Sequence, residues 1–102
     1  MIALAAIAAA LAPTAHAAAT KNVAVHDDFF RAKSVTVKKG TRVRWVWKDK
    51  GAHNVSVKKG PVKFSSSIQT KGTYAKKLTK KGTYRILCTV HAPSMKMTVR
   101  VK

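Results

Sequence analysis

Near its C-terminus the chain carries Cys88-x-x-His91-x-x-x-Met95, and Cys88 is its only cysteine. A thiolate, an imidazole and a thioether on one short segment are the soft and borderline donors that copper selects. A trigonal site of two His and one Cys with a long axial Met is the arrangement of copper electron-transfer centres. The segment supplies one His, so a second must come from elsewhere. His16 lies in an apolar leader and His26 beside a polar turn, which leaves His53, just ahead of the alternating Asn54-Val55-Ser56-Val57. The candidate ligands for one copper ion are therefore His53, Cys88, His91 and Met95.

Competing chemistries are weighed on the same residues. An isolated Cys is usually a small buried hydrophobe, but a His three positions on and a Met seven positions on favour ligation here. Zinc could use Cys and two His, yet the thioether argues for copper. Covalent haem would need Cys-x-x-Cys-His, which is absent. A trinuclear copper oxidase centre would need several more histidines than His26, His53 and His91 provide. The chain is accordingly expected not to be an enzyme.

These donors must be held by strands. Past the leader the pattern is alternation and not a helical period. Arg42-Val43-Arg44-Trp45-Val46-Trp47-Lys48 is the clearest case, with Val43, Trp45 and Trp47 inward. Further strands are expected at Asn22–Val25, Ser34–Val37, Asn54–Val57, Thr73–Leu78, Tyr84–Cys88 and Met97–Val101, with a short fragment at Val62–Phe64. Phe29-Phe30 is expected to plug one end of the core. Lys-Lys-Gly recurs at 38, 58 and 80. It reads as reused turn chemistry, with Gly at positive φ and paired Lys guarding strand edges. Seven or eight short strands in about 80 residues indicate an all-β, Greek-key sandwich.

With the ligand segment preceded by Gly82-Thr83-Tyr84, and His53-Asn54-Val55 upstream, the sequence resembles the cupredoxins, the plastocyanin- and amicyanin-like blue copper proteins. Val37-x-x-Gly40-x-x-Val43-x-Trp45 and Phe64-x-Ser66 extend the resemblance over roughly residues 22 to 102. It implies a single-electron carrier cycling between Cu(I) and Cu(II). It also implies a hydrogen bond between Asn54 and Thr89 that ties the two ligand segments together. The electron port would be the edge of His91 in a small apolar patch formed by Ala92, Pro93, Gly51 and Ala52, within a very basic surround. Met97 stands where many relatives have Gly, which raises the question of which Met binds. Met97 shares the inward face with Val99 and Val101, whereas Met95 lies in the loop, so Met95 is taken as axial.

Residues 1–19 read as a removable signal peptide, an Ala/Ile/Leu run followed by small residues, with cleavage after Ala17 or Ala19. The run is too short to span a bilayer, which needs about 20 apolar residues. Residues 20–102 form the copper-binding domain, expected in the periplasm or outside the cell and expected to be a monomer. The chain has 21 Lys and Arg against three acidic residues, Asp27, Asp28 and Asp49, for a net charge of +18. Such a field speeds encounter with anionic partners. An acidic redox protein is the first candidate, and loose association with anionic cell-envelope polymers is another. Nucleic acid is disfavoured, because no aromatic platform is interleaved with the charges and no groove-reading helix is evident. Two other functions use the same features: a copper carrier or storage protein, and a metal-free basic module for envelope polymers.

Overall fold

The computed structural model describes residues 19–102, so the proposed leader lies almost wholly outside the described residues. Eight strands run in chain order: β1 Thr20–His26, β2 Phe29–Arg31, β3 Ser34–Val37, β4 Thr41–Trp47, β5 Ser56–Lys59, β6 Thr73–Leu78, β7 Gly82–Leu87 and β8 Lys96–Val101. They form two four-stranded sheets, ordered β2-β1-β4-β6 and β3-β8-β7-β5. The pairs β1/β4 and β3/β8 are parallel and the other pairs antiparallel. This is an all-β sandwich, with one 3-10 turn at Thr89–His91 between β7 and β8.

Alternation explains which faces meet. Val43, Trp45 and Trp47 of β4 are buried, as are Tyr84 and Ile86 of β7 and Met97, Val99 and Val101 of β8. Together with Val23, Val25, Phe30, Val35, Val37, Val55, Val57 and Leu78 they make one core, as the inner faces of two packed sheets should. The Trp45 indole N–H donates to Met97 Sδ at 3.4 Å, so that thioether is engaged inside the core. Tyr84, at the entry to β7, sends its hydroxyl back to Lys80 O at 2.8 Å and fastens the preceding turn.

The structure corrects several local expectations. The strand expected at Asn54–Val57 is displaced to Ser56–Lys59. Residues 53–55 bond instead to the segment 66–69: Val55 N–H donates to Ser66 Oγ at 2.9 Å, Ser66 N–H to Val55 O at 2.8 Å, and His53 and Gln69 exchange both backbone bonds. Val62–Phe64 forms no strand, and Phe64 packs its ring against Trp45, Tyr74 and Tyr84. Phe30 plugs the core, but within the short strand β2, while Phe29 is exposed and stacks on His26. Of the Lys-Lys-Gly turns, Gly40 and Gly82 have φ of 93° and 140°, but Gly60 is not at positive φ. Gly60 is required by a close approach, since a Cβ there would press on the ring and Cα of Tyr84.

Candidate metal centre

Two loops at one end of the sandwich carry the donors, one between β4 and β5 and one between β7 and β8. His53 is pinned by its two-way backbone pairing with Gln69, at 3.0 and 2.9 Å, which fixes it at the rim of the core. Cys88 follows β7 directly, and the inward alternation of Tyr84 and Ile86 carries its side chain into the interior, fully buried. The 3-10 turn then folds back at once, with His91 N–H donating to Cys88 O at 3.2 Å. Each of His53, Cys88 and His91 offers one ligand atom, and these atoms lie within 4.8 Å of one another. Cys88 Sγ is 3.8 Å from His53 Nδ1, and the two imidazole rings sit 4.9 Å apart.

Met95 is completely buried. Its backbone N–H donates to His91 O at 3.2 Å and its carbonyl accepts from Cys88 N–H at 2.9 Å, which draws residues 88–95 into a closed loop. Asn54 is buried as well, and its Oδ1 accepts from the Thr89 N–H at 2.8 Å and from the Thr89 hydroxyl at 3.2 Å. Each such bond contributes about 0.5–1.5 kcal/mol net, and together they join the His53 segment directly to the Cys88 segment.

The surroundings of the proposed port differ from the sequence expectation. Ala92 and Pro93 are exposed beside half-buried His91, and Gly51 and Ala52 are half-buried. Three large apolar side chains are also exposed: Val90 next to His91, Phe29 next to Asp28, and Ile68 next to Gln69. None of the three stood out in the sequence as part of a patch, because a lone apolar residue in a loop has no periodic signal. The surround is not uniformly basic, for all three acidic residues gather here. Asp27 Oδ1 lies 3.0 Å from His53 Nε2, Asp28 Oδ1 lies 3.4 Å from His91 Nδ1, and Asp49 Oδ2 lies 3.1 Å from His26 Nδ1. Asp49 also accepts from the Asp27 backbone N–H at 2.9 Å. That bond and the contact with His26 hold its carboxyl below the ordinary carboxylate range. Its attachment to the Asp27 turn is therefore kept at neutral pH and given up only as acid protonates Asp49.

The plastocyanin/azurin family model of copper-binding proteins matches residues 17–102. The chain is a cupredoxin. Amicyanin from Paracoccus versutus (Thiobacillus versutus) superimposes with a TM-score of 0.73 at 31% identity, over 87% of each chain. A reduced mutant of amicyanin gives 0.74 at 25% identity, over 87% of this cupredoxin and 88% of that chain. A copper-containing nitrite reductase from Thermus scotoductus SA-01 gives 0.74 at 27% identity over 81% of this chain, but the cupredoxin spans only 22% of that enzyme's length. No curated protein matches the chain. The donor set fits the cofactor of the family: two imidazoles and a thiolate converge, with one His half-exposed and the thiolate buried. The cofactor is a single copper ion.

Proposed function

We propose that this cupredoxin is an exported, mononuclear blue-copper protein that carries single electrons between redox partners. The observation that supports it most is the convergence of His53, Cys88 and His91 within 4.8 Å at one end of a small sandwich. In this reading His53, Cys88 and His91 would hold the copper, with Met95 as a weaker fourth donor. When bound, copper supplies the one-electron couple between Cu(I) and Cu(II). The engagement of Met97 Sδ by Trp45 favours Met95 over Met97 as that donor. Asn54 and Thr89 keep the two ligand segments at fixed spacing, so the protein resists rearrangement when the charge at the site changes.

The chain acts as a carrier and not as an enzyme. Residues 1–19 act as the export signal and 20–102 as the working domain, in the periplasm or outside the cell. Among the described residues no helix is long and apolar enough to cross a membrane. Electrons pass through the edge of His91, framed by Ala92, Pro93, Gly51, Ala52 and the exposed Val90.

The partner is an acidic redox protein, drawn by the +18 charge. Electron exchange with an acidic redox protein should be fast at low ionic strength. It should slow steeply as salt approaches the physiological range, where the Debye length is about 8 Å. Stopped-flow rates that do not change with salt would show that the basic field is not what brings partners together.

A further inference from the structure

In a chain with 21 cationic side chains and three acidic ones, one carboxylate is set against a buried copper-ligand imidazole. Asp27 belongs to the turn between β1 and β2, and its side chain is half-exposed. Its Oδ1 receives the Gly51 N–H at 2.9 Å and lies 3.0 Å from His53 Nε2. The turn is anchored from its other side by Asp49, which accepts the Asp27 N–H. Gly51 has no side chain to keep the pair apart: a Cβ there would collide with Asp27 Oδ1 and press on His53 Nε2. Four residues from two separate loops, Asp27 on one and Asp49, Gly51 and His53 on the other, thus converge to set one carboxylate oxygen against one imidazole nitrogen.

We infer that Asp27 is a positioning residue for the copper centre, holding His53 with its Nδ1 lone pair toward the metal and lowering the reduction potential through its negative charge. The inference rests on the copper-carrier reading above. A carboxylate can only accept, so the proton of the neutral imidazole resides on Nε2 and Nδ1 keeps its lone pair. That Nδ1 is the atom 3.8 Å from Cys88 Sγ. An imidazole hydrogen-bonded to a carboxylate is a more basic ligand, and a more basic ligand with an anion behind it favours Cu(II) over Cu(I). Two substitutions separate orientation from charge. Asp27→Asn keeps a carbonyl oxygen at the same place, because the Gly51 N–H requires an acceptor there, but removes the charge. Asp27→Ala removes both.

The test uses copper-loaded protein. In the diamagnetic Cu(I) form, the His53 Nε2–H proton should be visible by NMR and slow to exchange in the wild type and in Asp27→Asn, and lost to fast exchange in Asp27→Ala. Both variants should have a raised potential, by about 59 mV if the Cu(II)/Cu(I) preference changes tenfold for this one-electron couple. Asp27→Ala should in addition bind Cu(II) about 10–100-fold more weakly, as is usual when the outer partner of a metal-bound His is removed. The rise should persist in 1 M salt, where the Debye length is about 3 Å, because the contact is a direct one. Variants that match the wild-type potential, a His53 proton equally protected in Asp27→Ala, or a rise that vanishes in 1 M salt would each overturn the assignment. A wild type that takes up Cu(II) without turning blue would instead overturn the carrier reading, so the two failures are told apart.

Discussion

Cys88→Ser should yield a folded protein that no longer turns blue with Cu(II). The colour of a trigonal thiolate site comes from charge transfer out of sulfur, and no other side chain in the sequence can supply a thiolate. Affinity for copper should fall by more than about 100-fold, since loss of even an outer partner of a ligand costs about 10–100-fold. The fold should survive. Cys88 is fully buried just beyond β7, so a serine hydroxyl left without a partner would cost about 1–3 kcal/mol. Cys88→Ala avoids that polar cost and should be equally colourless. Visible absorption of both variants, alongside a fold check by far-ultraviolet circular dichroism, reads the outcome. A blue Cys88→Ala protein would mean that the thiolate is not the source of the colour.

Met95→Leu and Met97→Leu should have opposite consequences although the two residues lie two positions apart and are both buried. Met95→Leu should retain the blue colour, because Cys88, His53 and His91 remain, and raise the reduction potential, because the axial donor tunes it. Met97→Leu should leave the spectrum and the potential unchanged and affect stability instead. From volume alone the swap would cost under about 1.5 kcal/mol. However, it also strips the buried Trp45 N–H of its acceptor, which places the expected cost at about 1–3 kcal/mol. Voltammetry and chemical denaturation of the two variants distinguish the roles. A potential that moves with Met97→Leu and not with Met95→Leu would reverse the assignment.

Much of the sandwich is legible in the sequence because alternation reports burial directly. The pattern of Arg42 to Lys48 appears as strand β4 with Val43, Trp45 and Trp47 buried, and Thr73–Leu78 is β6 to the residue. Cys88, His91 and His53 are legible because their side chains are rare in this chain and chemically specific. Elements held by side chains are less legible. The bond from Thr89 to Asn54 follows from the family resemblance and not from the local pattern, and nothing in Asn54-Val55 announces that Val55 gives its N–H to a serine hydroxyl eleven residues on, so β5 begins later than alternation suggests. Asp27 reads as turn punctuation, since Asp is a common turn former. Its contact with His53 spans 26 positions and is created by the packing of one turn against another. The basic surround expected at the port failed for a related reason. Net charge is a sum over the chain, and it does not say that all three acidic residues fold to the copper end.

The most direct test of the whole account is a titration of the purified wild-type protein with Cu(II), followed by visible absorption and then by reduction and reoxidation. The account predicts an intense blue band that saturates at one copper per chain, disappears on addition of one electron equivalent and returns on reoxidation. A folded protein that binds Cu(II) without colour, or whose colour does not respond to one electron, would contradict it and favour a protein that holds copper without passing electrons.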